Sequence, residues 1–147
     1  MPRIQIHRLV SRSTFSYRMD VDSEGQHWQG RAQMVCKPLQ AYQKVRFFPT
    51  DDIYDTCLAC GVRSDQWIGH LRIFYPNGDA APLHRMRMGV GTQVLCAICA
   101  DLSSAGGALL YALPTSESMR EFLNKKQFIP STKFPEHYFR PLPQSLS

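Results

Sequence analysis

The chain has 147 residues and a mass of 16.8 kDa, with 44% hydrophobic and 20% charged residues, which suits one globular domain with its own core. No apolar run approaches the ~20 residues of a membrane-spanning helix, and the odd count of five cysteines disfavours a disulfide framework. The formal net charge is +5, spread unevenly: residues 1–48 carry eight Lys/Arg against three Asp/Glu, residues 49–84 two against five, and residues 85–147 seven against four. Such a surface suits a polyphosphate ligand, and it fits an ordinary solvated basic face equally well. No dense Lys/Arg run alternates with aromatic residues, so nucleic acid is not the expected partner. The start Met1-Pro2-Arg3-Ile4-Gln5-Ile6-His7-Arg8 has no secretory apolar core, so a cytoplasmic location is expected.

The first third reads as β-structure. Residues 4–10 and 14–21 alternate apolar and polar side chains, Asp22-Ser23-Glu24-Gly25 is a turn, and Trp28 to Cys36 returns as a hairpin partner that Pro38 ends. Val45-Arg46-Phe47-Phe48 is a further short strand. From Thr50 the pattern changes. A capping hydroxyl, two early aspartates and a stop at Gly61 predict a short helix with Ile53, Tyr54, Cys57 and Leu58 on its apolar face. Gln66 to Tyr75 reads as a strand, Pro76-Asn77-Gly78-Asp79 as a turn, and Ala80 to Met86 as a returning strand.

A loop follows, Arg85-Met86-Arg87-Met88-Gly89-Val90-Gly91-Thr92, directly ahead of the apolar run 94–98. Two glycines one residue apart let backbone N–H groups approach an anion, and the N-terminus of the next helix adds partial positive charge. Ala105-Gly106-Gly107 breaks that helix, and residues 108–113 read as a buried strand. Pro114-Thr115-Ser116-Glu117 opens a second helix, 118–126, with a hydroxyl cap, an early carboxylate, and Lys125-Lys126 at its negative end. Residues 137–142 make a last short strand, and 143–147 are expected to fray.

Three of these segments resemble successive landmarks of the GCN5-related N-acetyltransferases (GNAT family): Trp67-Ile68-Gly69-His70-Leu71, the Gly89-Val90-Gly91 loop, and Arg120-Glu121-Phe122-Leu123-Asn124-Lys125-Lys126-Gln127-Phe128. The resemblance spans about residues 66–128. It implies an α/β (α+β) fold with a mixed, mostly antiparallel sheet flanked by helices. It implies an N-acyltransferase that moves an acetyl or other acyl group from acyl-coenzyme A to an amine, with the loop holding the pyrophosphate. The chain departs from the family pattern at several places. The loop's Gln/Arg position falls on Met86, the helix tyrosine that protonates the leaving thiolate falls on Leu123, the following glycine on Gln127, and an asparagine often found at the helix start on Ser116. The family's two helices after the first strand have no counterpart in the pattern of residues 11–40, so the N-terminal half is expected to be unusually β-rich.

The organisation expected is one domain, with a divergent half (1–65), an acyl-coenzyme A-binding core (66–142) and a frayed tail (143–147). The cofactor-binding candidates are Arg85, Arg87, Met88, Gly89, Val90, Gly91, Thr92 and Ser116. His70 and His84, on strands expected to line the cleft, are candidate bases because imidazole titrates near neutrality, although a structural histidine is the commoner outcome. Tyr111 stands on the strand before the lost tyrosine and is a substitute acid or a core residue with a satisfied hydroxyl. The partners expected are acyl-coenzyme A and an amine acceptor; a homodimer is compatible with the sequence, and no membrane is implied. Two other readings stand beside this one. A degenerate member would bind coenzyme A or a protein without catalysis. Alternatively Cys57, Cys60, Cys96 and Cys99, two Cys-x-x-Cys pairs, would hold a structural zinc in a nucleic-acid or protein-binding module. The apolar setting of Cys96 and Cys99 favours buried reduced thiols, so zinc is not expected.

Overall fold

The computed structural model describes residues 2–44, 52–78, 89–131 and 137–144. The expected strand at 45–48, the cap at Thr50, Asp79, the returning strand 80–86 and the loop residues His84, Arg85, Met86, Arg87 and Met88 lie outside these residues. Seven strands form one sheet in the order β1-β2-β3-β4-β5-β7-β6. They are β1 (Arg3–Ser11), β2 (Thr14–Ser23), β3 (Gln26–Pro38), β4 (Trp67–Tyr75), β5 (Gly107–Ala112), β6 (Ile129–Pro130) and β7 (Tyr138–Pro141). Every neighbouring pair is antiparallel except β4 and β5, which run parallel. A 3-10 helix (Leu39–Lys44) and α1 (Asp52–Ala59) join β3 to β4. The helix α2 (Val90–Ser104) precedes β5, and α3 (Glu117–Lys125) follows it. The α+β class and the β-rich N-terminal half are as the sequence predicts.

The first three strands form a meander, and the alternation is clearest in β2. Tyr17, Met19 and Val21 of β2 are buried, while between them Arg18 is exposed and Asp20 half-buried. The β2–β3 turn puts Glu24 (φ 52) and Gly25 (φ 78) in the left-handed region, the twist a two-residue hairpin needs. At Gly30 a Cβ would stand 2.5 Å from the Pro76 carbonyl oxygen, and Trp28 donates its indole N–H to the same oxygen at 3.2 Å. The bare glycine and the indole together pin the end of β4 against β3.

The sheet carries a core on each face. On one, α2 and α3 pack Val94, Leu95, Ile98, Leu102 and Leu123 against Met19, Met34, Leu110 and Ala112. On the other, Leu39, Ile53, Cys57 and Val62 cover Ile68, Leu109, Tyr111 and Phe139. α1 buries Ile53 and Cys57, one turn apart, but Leu58 is 43% exposed, so the expected four-residue apolar face is narrower: Leu58 falls outside the stripe that reaches the sheet. Asp101 of α2 accepts hydrogen bonds from the Tyr17 hydroxyl (2.6 Å) and Arg8 (3.0 Å), tying α2 to β1 and β2. The tail is ordered further than expected. Ser103 donates its hydroxyl to the Pro143 carbonyl, and Gln144 donates to the carbonyls of Gly107 and Leu142, so Pro143 and Gln144 are held; residues 145–147 lie outside the described residues.

Candidate active site

The site begins where the sheet splits. β4 pairs with β3 from Pro38↔Trp67 to Arg31↔Tyr75, but its parallel pairing with β5 ends at Leu71↔Ala112. Beyond that fork β4 runs on through Tyr75, while the chain leaves β5 at Leu113 and Pro114. Among the described residues, one edge of the 72–75 backbone therefore has no ladder partner. The β3–β4 register also slips here: Met34 faces Leu71 and Gln33 faces Ile73, which leaves Arg72 as the extra residue of a β-bulge. A bulge re-aims side chains. In this one Leu71 and Phe74 both turn to the core under α2 and α3.

The opened sheet and the two helices enclose a cleft of about 640 Å³. One wall is β4 and its turn, from Leu71 to Asn77; the other is the exit of β5, Ala112 to Ser116. Met119, Glu121, Phe122, Lys125 and Lys126 of α3 close it above, and Gly89, Gly91 and Thr92 at the start of α2 form its far end. Phe122 organises this end. It packs on Phe74 (ring centroids 5.8 Å apart), Lys126 Nζ lies 5.8 Å over its ring, and a Cβ on Gly91 would stand 3.5 Å from it.

Two helix starts point at the cleft with different capping. α3 is capped by Ser116, whose Oγ accepts from the Met119 N–H at 3.2 Å, and Glu117 supports the first turn while pairing with Arg120 at 2.7 Å. This is the cap the sequence predicts, and Ser116 also lines the cleft. α2 is capped by Gly89 at φ 77, with no side-chain cap and no acid in its first turn. The first-turn N–H groups of Val90, Gly91 and Thr92 have no acceptor within the helix, and among the described residues no acid in that turn offsets its partial positive charge. The Val90 side chain is buried, so only its backbone is offered.

His70 and Tyr111 come together beneath the fork. They face each other across β4 and β5, and the imidazole stacks on the phenol ring at 4.5 Å with the planes 7° apart. Neither lines the cleft. Burial pushes the His70 pKa down to about 4, with the charge of Arg72 and His137 acting in the same direction, which makes it a weak base. The Tyr111 hydroxyl donates to the Tyr42 hydroxyl at 2.8 Å, and burial first, then Tyr42, raises its pKa far above the usual phenol range. Tyr111 thus has the satisfied hydroxyl of a core residue.

The cysteines do not converge. Cys57 is buried in the core on the α1 face of the sheet and Cys99 in the core on the α2 face. With the sheet between them, no single metal reaches both pairs, and the Cys₄ zinc reading falls for that reason. Burial raises the Cys99 thiol to about 11, well into the protonated range.

The helix alignment carries one correction. Leu123, at the family's tyrosine position, is fully buried in the core and does not line the cleft; its neighbours Met119 and Phe122 do. The glycine position holds. Gln127 has φ 68, Phe128 N–H donates to the Leu123 carbonyl at 3.2 Å, and both apolar side chains are buried, which makes a Schellman closure with glutamine in the left-handed seat. The sequence reading missed Arg72, Phe74 and Phe122 as cleft residues. Only Arg72 left a trace, as a charge within an otherwise apolar strand.

No family sequence model matches the chain, and no curated protein sequence does. Solved structures do. An apo form of an agmatine N-acetyltransferase mutant (S171A) is 12% identical over 85% of this chain and 76% of its own, with a TM-score of 0.55. FeeM, an N-acyl amino acid synthase from uncultured soil microbes, is 12% identical over 97% of this chain and 91% of its own, with a TM-score of 0.52. A protein assigned to the GNAT acetyltransferases from Desulfovibrio desulfuricans is 15% identical over 86% of this chain and 68% of its own, with a TM-score of 0.49. The chain therefore shares the fold of that agmatine N-acetyltransferase and of FeeM. At these identities the likeness concerns the fold alone. Among the described residues no helix is long and apolar enough to cross a membrane.

Proposed function

We propose that the protein transfers an acyl group from an acyl-coenzyme A to an amine. The observation that carries this is that one cleft joins an uncompensated helix N-terminus to a split in the sheet. Gly91 lies beside Pro76, where a Cβ would come within 3.7 Å of its ring, and Pro76 is five residues along from the fork at Leu71. Five extended residues span about 17 Å, the reach of a stretched pantetheine arm. A pyrophosphate on the N–H groups of Val90, Gly91 and Thr92, with Gly89 giving close approach, sets the thioester at the fork. The preceding residues Arg85, Arg87 and Met88 belong to this phosphate loop by sequence, and Ser116 adds a hydroxyl on the opposite wall. Lys125 and Lys126 stand at the same phosphate end.

At the fork the neutral amine attacks the thioester carbonyl carbon with its lone pair. The oxygen of the tetrahedral adduct takes the negative charge, and the free N–H groups of the 72–75 edge are the donors within reach. The C–S bond then breaks, coenzyme A leaves as thiolate with the bonding pair, and the proton lost by nitrogen returns through solvent to sulfur. A thiol pKa near ~8.5 makes that leaving group tolerable without a phenol acid. His70 and Tyr111 lie one layer below and shape the fork.

The second reading is a coenzyme A binder without turnover; it is favoured by the burial of Leu123, which leaves the family's acid position pointing into the core. Calorimetry with coenzyme A and acetyl-coenzyme A, followed by thiol release with an amine panel, separates the two. Binding with turnover supports transfer, binding alone supports the second reading, and no binding at millimolar ligand rejects both.

A further inference from the structure

Arg72 is the residue that the bulge adds to β4, and the bulge sets it on the lip of the cleft at the fork. It is exposed, and it has no ion-pair or hydrogen-bond partner among the described residues. Its place, not its lack of a partner, sets it apart from Glu121, Lys125 and Lys126, the other charged residues of the cleft. Lys126 lies over Phe122, beside the start of α2, so the two lysines serve the phosphate end. Arg72 is four residues from Pro76 along β4, at the end where the bond would form.

Its direction is also set. Leu71 and Phe74 of β4 turn to the core under α2 and α3, so Arg72 between them shares the opposite face with His70, two residues before it. Tyr111 belongs to the core on the α1 side of the sheet, and His70 stacks against it. The guanidinium therefore serves the face away from α2 and α3. If the acyl-coenzyme A arm fills the cleft under α2 and α3, the acceptor reaches the thioester from this other face and passes Arg72.

An unpaired guanidinium beside the attacking nitrogen discriminates among amines. It repels an ammonium group, and most of all an acceptor with two positive charges. It attracts an acceptor that carries a carboxylate close to its nitrogen, because the guanidinium fork matches the two carboxylate oxygens. It also favours the neutral form of the nearby amine, which is the nucleophile. We propose that Arg72 is the specificity-determining residue of the acceptor site, and that the acceptor is an α-amino acid whose carboxylate pairs with its guanidinium. This rests on the acyltransferase reading above.

The test uses the full chain, acetyl- and octanoyl-coenzyme A as donors, and matched acceptors: phenylalanine against 2-phenylethylamine, and leucine against 3-methylbutylamine. Thiol release and product mass give kcat/KM for each, and calorimetry gives coenzyme A affinity separately. The wild-type protein is expected to prefer the amino acid by about tenfold to a hundredfold, the range of one charge-assisted bidentate contact. In Arg72→Met the preference should collapse through the KM of the amino acid, while the plain amine gains; Arg72→Lys should recover part of the preference. The proposal is overturned if the amine is used as well as the amino acid, or if the preference survives Arg72→Met. It is also overturned if coenzyme A binds and no amino acid is acylated, an outcome that leaves acyl transfer itself to be judged on the amines. If coenzyme A does not bind at all, the acyltransferase reading fails and this assignment fails with it.

Discussion

His70 lies flat against Tyr111, ring centroids 4.5 Å apart, at the last but one pair before β4 and β5 separate. The stack seals the base of the fork, and it keeps the imidazole neutral. Burial, with Arg72 and His137, lowers the folded-state pKa from 6.5 to about 4. In the unfolded chain His70 takes up a proton near pH 6.5, and in the fold it resists until about pH 4, so across that window the unfolded state binds more protons. Stability is therefore full above about pH 6.5 and falls as pH drops towards 4, by roughly 3 kcal/mol at most from this residue. Melting temperatures of wild type and His70→Phe from pH 4 to 8 should converge at low pH relative to their separation at pH 7. Parallel curves would show that His70 does not titrate as its setting demands.

Gln127 occupies a left-handed seat that favours glycine. Its φ of 68 is forced by the Phe128-to-Leu123 closure and by the burial of both those side chains. The left-handed conformation costs a non-glycine residue about 1–2 kcal/mol, partly offset in glycine by its greater freedom when unfolded. Gln127→Gly should raise stability by about 0.5–1 kcal/mol, or roughly 2–4 °C in a domain of this size. A lowered melting temperature would mean that the glutamine side chain makes a contact worth more than the strain.

Leu123→Tyr is the substitution that sequence alignment alone invites, since it restores the family's phenol. The structure makes it a core lesion. Leu123 is completely buried among the cluster that joins α3 to the sheet, so the larger ring overpacks by about 1–3 kcal/mol and brings a hydroxyl without a partner. Denaturant unfolding should show that loss, and acyl transfer should not rise. A faster enzyme of undiminished stability would mean that α3 is rotated from the orientation described here.

Much of the fold was legible because its signals are local. Alternation, strict in 14–21 and partial in 4–10 and 28–36, announced the meander, and Ser116 with Glu117 and Lys125 announced both ends of α3. The fork was not legible, because it is set by the Leu71↔Ala112 pairing between segments forty residues apart. The bulge at Arg72 was hidden for the same reason: it depends on the register against Met34, not on the residues beside it. The paired cysteines could not be placed from sequence, because spacing says nothing about which face of a sheet each pair reaches. Leu123 shows the limit of motif alignment: the glycine seat at Gln127 held, while the phenol position four residues earlier faces the core.

Gly91 offers the sharpest test of the phosphate end. It is not in the left-handed region, and a Cβ there would meet Phe122 and Pro76 only at 3.5 to 3.7 Å, ordinary contact distances. Nothing among the described residues therefore demands glycine at this position in the first turn of α2. By helix propensity alone, alanine should be neutral or stabilising by up to about 1 kcal/mol. A reason for glycine remains if the backbone N–H groups must touch a ligand, because a methyl group on the cleft wall would then hold the phosphate away. Gly91→Ala is expected to melt at or slightly above the wild-type temperature while coenzyme A affinity falls about tenfold or more in calorimetry. Gly91→Leu, which would crowd Phe122, should bind none and lose stability as well. If Gly91→Ala binds coenzyme A as tightly as wild type, the pyrophosphate does not sit on the start of α2. The thioester would then lack the anchor that sets it at the fork.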